Sequence, residues 1–249
     1  MINRSEKLLP MRKRADACES EPYQPGVTHP EGNAPMHPDR SFVYHLHRPD
    51  DPDGSTLVLL HGTGGDETDL LPLGQEIAPR AVLLGVRGRS TEEGVSRWFR
   101  RLTATTFDQA NIRTEVEAFA AFLPDALQSH ELDPTRTVLV GFSNGANFTA
   151  AVMLLYPQLV RRAALLRAML VLDSPPVPDL AGISVLAVAG RSDPYGRYAS
   201  ALNDILRRLG ANLEARTVDA GHNLTIEDVA IVQEWIGRGL RFWSGRERT

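Results

Sequence analysis

Cysteine is almost absent from this chain: Cys18 stands alone in a polar segment, so no internal disulfide can form and no ligand-spaced partner marks a metal site. Such usage suits a reducing cytoplasm. Long apolar runs are missing as well. The strongest, Ala163 to Leu172, falls well short of the roughly 18 residues a membrane span requires and is broken by Arg167, so membrane insertion is not expected. Neither sign of charge is in great excess, the formal net charge being -4, and no dense basic tract with interleaved aromatics occurs. This removes the electrostatic reason to expect nucleic acid as a partner. Arg4, Lys7, Arg12, Lys13 and Arg14 make the start of the chain positive, but no apolar core or small-residue cleavage site follows, and a secretory signal is not expected.

What the chain does have is apolar residue enough for a large core: 42% of 249 residues fits one α/β domain better than two. Met1 to about Pro38 mixes charges, prolines and small polar residues with neither a helical nor a strand period. Residues 1–38 are therefore read as a disordered extension ahead of a domain over 39–249. Met36, just before the first regular pattern, is an alternative start. Alternation in Phe42-Val43-Tyr44-His45-Leu46 predicts a half-buried edge strand, and Asp50 to Gly54 a turn. Short apolar runs at Thr56 to Leu60, Ala81 to Val86, Thr137 to Val140, Ala168 to Leu172 and Val185 to Ala189 predict parallel strands covered on both faces. Helical patterns lie between them at Asp69 to Ile77, Arg113 to Leu123, Asn144 to Tyr156, Tyr198 to Leu209 and Ile226 to Phe242. The alternation predicts a doubly wound, mostly parallel sheet flanked by helices, with its site at the carboxyl ends of the strands.

Gly141-Phe142-Ser143-Asn144-Gly145 sits between one such strand and one such helix. A serine thrust out of a strained strand-to-helix turn needs almost no side chain two positions to either side, and glycine supplies both, so Ser143 reads as a nucleophile. Its hydroxyl needs a base. Of seven histidines, His29 and His37 lie in the extension, His45 and His47 in the first strand, and His130 at a helix end. His222 follows the alternating segment Leu213 to Val218 and precedes the last helix, the expected place for a catalytic base. Asp193, in Gly190-Arg191-Ser192-Asp193-Pro194, falls between serine and histidine as the α/β-hydrolase order requires; Asp173 also ends a predicted strand in that interval and competes with it. Charge on a carbonyl oxygen would be met by backbone N–H groups of Asn144 and of Thr63, the latter in His61-Gly62-Thr63-Gly64-Gly65-Asp66. Asp66 and Asp69 are suited to starting the next helix, and His61 reads as structural. Taken singly, each piece has a plain structural reading as a tight turn or a helix start. Their order along the chain favours acyl transfer.

These segments, with Leu70-Leu71-Pro72, Val86-Arg87-Gly88 and Arg97-Trp98-Phe99-Arg100-Arg101, resemble the phospholipase/carboxylesterase family of α/β-hydrolases over about Ser41 to Gly239. Within it the chain is most similar to small bacterial esterases related to the hydroquinone-stress hydrolases. The resemblance implies an α/β-hydrolase fold, a Ser143-Asp193-His222 triad and a Thr63/Asn144 oxyanion hole, with no cofactor or metal. Thioesterases and lysophospholipases of the family typically carry glutamine after the serine, where this chain has Asn144. Trp98 and Phe99 occupy a region where similar proteins line the acyl or aryl pocket, with core packing the alternative. Arg97, Arg100 and Arg101 either attract an acidic substrate or form a solvated face. The leading expectation is a cytoplasmic serine carboxylesterase acting on small to medium acyl or aryl esters through an acyl-enzyme. A thioesterase or lysophospholipase on the same triad, or an inactive binding protein of the same fold, are the alternatives. The partner is then a small-molecule ester, and homo-oligomerisation stays open.

Overall fold

The computed structural model describes residues 42–92 and 94–244, so the extension expected over 1–38 lies outside the described residues. In chain order the elements are β1 (Tyr44–His47), β2 (Thr56–Leu60), α1 (Leu71–Ile77), β3 (Val82–Val86), β4 (Ser90–Glu92) and β5 (Val95–Arg97). They continue with α2 (Gln109–Ser129), β6 (Thr137–Phe142), α3 (Asn144–Leu155), β7 (Arg162–Leu166), β8 (Ser184–Gly190), α4 (Ala199–Arg208), β9 (Asn212–Val218) and α5 (Ile226–Ser244). Seven strands form one sheet in the order β1-β3-β2-β6-β7-β8-β9, while β4 and β5 pair as a separate hairpin. Only β1 runs antiparallel within the large sheet, at its edge, with Tyr44 and His45 exposed and Leu46 and His47 half-buried rather than in the expected alternation. Among the described residues, no helix is long and apolar enough to cross a membrane.

The apolar runs are continuous because both faces of the sheet are covered. In β2, Val58 and Leu60 join the core under α2, α3 and α4 with Ile112, Phe119, Phe148 and Leu202, whereas Leu57 and Leu59 face Ile77 of α1 and Val232 and Trp235 of α5. Side chains alternate across a strand, so a strand buried on both sides has no polar phase to show.

Two expectations about elements need correction. The predicted strand at Ala168 to Leu172 is not one; the strand is Arg162–Leu166, upstream of Arg167. Arg162 can begin a buried strand because its guanidinium lies 4.1 Å from the centroid of the Trp235 ring and donates to the Trp235 carbonyl at 2.9 Å. Burial pulls its pKa down to about 10, with the nearby charge of Arg238 acting in the same direction. The run after Arg167 is buried but irregular. Its backbone is satisfied by side chains: Met169 N–H donates to Asn147 Oδ1 at 2.8 Å, and the Gln109 amide donates to the Val171 carbonyl at 2.9 Å. Likewise, α1 starts at Leu71 without a side-chain cap, and Asp66 closes a turn on Thr68 N–H at 2.7 Å instead of capping the helix.

Candidate active site

Between β6 and α3 the chain turns on Ser143, whose φ of 51° and ψ of -112° lie outside the regions a residue with a Cβ normally occupies. The surroundings over-determine that conformation. Ser143 N–H donates to the Leu166 carbonyl at 2.8 Å, and its own carbonyl accepts Asn147 N–H at 2.9 Å. A Cβ on Gly141 would stand 2.6 Å from Ala146 Cα; one on Gly145 would run into the Leu60 carbonyl and approach that of His61 to 2.6 Å. Glycine is required at Gly141 because the first turn of α3 folds back over it, and at Gly145 because α3 passes against the end of β2.

His222 lies between β9 and α5. Its Nε2 is 2.8 Å from Ser143 Oγ, and its Nδ1 is 2.8 Å from Asp193 Oδ2, just beyond β8. The other carboxylate oxygen of Asp193 accepts Tyr195 N–H at 2.8 Å. The aspartate side chain is 2% exposed and the imidazole 31%, so the acid is dry while the base stays accessible. The Phe142 and Tyr195 rings flank the imidazole with centroids 5.6 and 5.4 Å away. Asp173, the competing acid, is exposed and follows an irregular segment rather than a strand; its backbone N–H is held by Gln109.

Thr63 sits exposed in the turn after β2, and Asn144 is the buried first residue of α3. Among the described residues, neither of their backbone N–H groups donates to a protein acceptor. The Thr63 turn is pinned by Gly64 N–H to the Ser96 carbonyl at 2.8 Å. His61 braces it from below. Gly88 N–H donates to His61 Nε2 at 2.9 Å, which leaves the ring proton on Nδ1, 2.6 Å from the Gly62 carbonyl. Burial holds this imidazole below the ordinary histidine pKa.

Trp98 and Phe99, expected either in a pocket wall or in the core, are both fully buried and belong to the apolar cluster under α2 and α3. Trp98 stacks on Phe148 at 4.7 Å, its indole N–H donates to the His61 carbonyl at 2.9 Å, and its backbone N–H donates to Asn144 Oδ1 at 2.8 Å. Both N–H groups of the residue are thus satisfied inside. The Asn144 side chain is thus a strut between the serine turn and the segment after β5. Of the three arginines, Arg97 is buried with Nη1 3.5 Å from Thr63 Oγ1, while Arg100 pairs on the surface with Glu92 at 3.1 Å and Asp108 at 3.3 Å. Sequence reading passed over Arg167 and Asp228, a buried pair beside the His222 loop. The signal was present as a lone charge interrupting an apolar run.

Comparison with known proteins agrees with this fold. A sequence model of the phospholipase/carboxylesterase family matches residues 44–238. A Bacillus subtilis (strain 168) protein named "Putative hydrolase MhqD" is 37% identical over 183 residues, spanning 73% of this chain and 92% of its own. The crystal structure of a carboxylesterase from Mesorhizobium loti superposes with a TM-score of 0.78 at 44% identity, covering 83% of this chain and 99% of that one. The Bacillus cereus carboxylesterase gives 0.76 at 32% identity, covering 80% and 95%. The chain therefore belongs to the phospholipase/carboxylesterase family of α/β-hydrolases.

Proposed function

We propose that this protein is a serine carboxylesterase that hydrolyses small to medium acyl or aryl esters through an acyl-enzyme on Ser143. The observation that carries the reading is the unbroken hydrogen-bonded chain from Ser143 Oγ through both nitrogens of His222 to Asp193. In this reading Ser143 Oγ attacks the ester carbonyl as its proton passes to His222 Nε2. Asp193 keeps the other ring proton on Nδ1 and stabilises the imidazolium. The Thr63 and Asn144 amides receive the negative charge that develops on the carbonyl oxygen. As the C–O bond of the ester breaks, the imidazolium returns its proton to the leaving oxygen. Water then attacks the acyl-enzyme with His222 again as base, and the carboxylic acid leaves.

The test is a panel of p-nitrophenyl esters of increasing chain length, run beside a lysophospholipid and an acyl-CoA. The highest kcat/KM is expected on short to medium esters, and Ser143→Ala should abolish it. A clear preference for the acyl-CoA or the lysophospholipid would move the substrate class to thioesters or lysolipids. No turnover of any substrate by the folded protein would make it a binding protein on this fold.

A further inference from the structure

Strand β7 is followed by a residue that none of these steps uses. Arg167 has a φ of 61°, and its side chain and that of Asp228 in α5 are both fully buried. A guanidinium carries five N–H donors and is tolerated in a core only when they are met. Nη1 and Nη2 reach the two Asp228 oxygens at 2.7 and 2.8 Å. The remaining donors go to backbone: Nε to the Gly221 carbonyl at 3.0 Å, Nη2 to the Asn223 carbonyl at 3.2 Å and Nη1 to the Val188 carbonyl at 3.4 Å. Gly221 and Asn223 flank His222. One planar fork therefore grips the chain on both sides of the imidazole-bearing residue.

The fork is itself immobilised. Asp228 Oδ2 also accepts Thr225 N–H at 2.8 Å and the Thr225 hydroxyl at 2.9 Å. Arg167 N–H donates to the Val188 carbonyl in β8 at 2.8 Å, and the preceding residue, Leu166, supplies the carbonyl that holds Ser143 N–H. Gly190, at the end of β8, has no room for a Cβ, which would lie 2.7 Å from the Ala220 carbonyl and 3.1 Å from Arg167 Nε. The Arg167 side chain thus bonds the segment that carries His222 directly, while its own backbone joins β8 and its neighbour Leu166 holds Ser143.

We propose that the buried Arg167–Asp228 pair is the positioning device for His222: it sets the backbone at 221–223 so that one imidazole spans Ser143 and Asp193. The inference rests on reading Ser143 and His222 as catalytic. Arg167 touches no reacting atom and acts through the loop. An imidazole with a 2.8 Å partner at each end has little tolerance for displacement. Lysine could not replace the arginine, because an ammonium has no planar fork with which to hold a carboxylate and two divergent carbonyls together.

The experiment compares Arg167→Met, Asp228→Leu and the double variant Arg167→Met/Asp228→Leu. Each single change strands a buried charge and should lower the melting temperature, whereas removing both charges should recover much of it. The double variant still lacks a donor for the Gly221 and Asn223 carbonyls. Well below its melting temperature, its kcat should be ~10–100-fold low with KM changed by less than about twofold, as misplacement of a reacting group predicts. Hydrogen exchange at 219–225 should quicken while β2 and β6 stay protected. Recovery of kcat together with the melting temperature would reduce the pair to a structural element and overturn the proposal. So would unchanged exchange at 219–225, a readout that stands even if the wild type hydrolyses no ester, which would sink the esterase reading instead. If the double variant does not fold, Arg167→Lys carries the same two measurements, with the same results supporting or overturning the proposal.

Discussion

Asp193 owes its position as candidate acid to what holds it: Tyr195 N–H takes one oxygen and His222 the other. Asparagine at that position would still fit the space but would favour the wrong imidazole tautomer. Asp193→Asn is therefore expected to cut kcat by ~10⁴-fold, the cost of the equivalent change in serine proteases. Asp173→Asn, on an exposed residue, should leave kcat unchanged. Circular dichroism would establish that both variants fold, and the opposite ranking would make Asp173 the acid. His61 gives a second test, in the pH dependence of stability. Its folded pKa lies below the ordinary value of 6.5, first through burial, and protonation would also destroy the acceptor for Gly88 N–H. Below pH 6.5 the unfolded chain takes up this proton before the folded one does. The His61 contribution is thus full above that pH and is lost as pH falls toward the folded pKa. A His61 ring resonance titrating at or above the ordinary histidine value would contradict this.

Elements were legible where local pattern and burial coincide. Strand β2 is Thr56–Leu60, as its apolar run predicts, and Asn144 opens α3. The reading failed where a buried segment takes its hydrogen bonds from side chains. Met169 and Val171 look like strand residues because they are buried, and no periodicity reveals that Asn147 and Gln109 replace a neighbouring strand. Arg162 hid β7 for the converse reason, since a charge stacked on Trp235 from the far end of the chain cannot be foreseen locally. Trp98 was ambiguous in sequence because a tryptophan is buried in a pocket wall and in a core alike; the contacts with Phe119 and Phe148 place it in the core. Trp98→Ala is accordingly expected to cost ~3–5 kcal/mol of stability. It should leave the ratio of kcat/KM for a long-chain ester over an acetyl ester unchanged. A shifted ratio at unchanged melting temperature would return Trp98 to the pocket. Gly145→Ala tests the packing of α3, because the added methyl meets the Leu60 and His61 carbonyls, neither of which can rotate away. Overpacking of this kind costs ~1–3 kcal/mol, so both melting temperature and kcat should fall, and an alanine variant as stable as wild type would contradict the close approach.

At the scale of the whole molecule, parallel strands explain why residues far apart in sequence meet. Thr63, Ser143, Asp193 and His222 follow β2, β6, β8 and β9, and because these strands run the same way, all four arrive at the carboxyl end of the sheet. That is why four short motifs were readable as a site without any contact information, while the Arg167–Asp228 pair, which depends on where α5 docks, was not. Family membership places the chain among carboxylesterases and related hydrolases, and the hydrogen-bonded order at the carboxyl ends of the strands is what supports the proposal of Ser143 as nucleophile. The most direct test is intact-protein mass spectrometry after treatment with a fluorophosphonate probe. Wild type should gain one adduct, mapped to Ser143, and lose esterase activity in step with labelling, while folded Ser143→Ala should gain none. Equal labelling of the two proteins would place the nucleophile elsewhere and contradict the account.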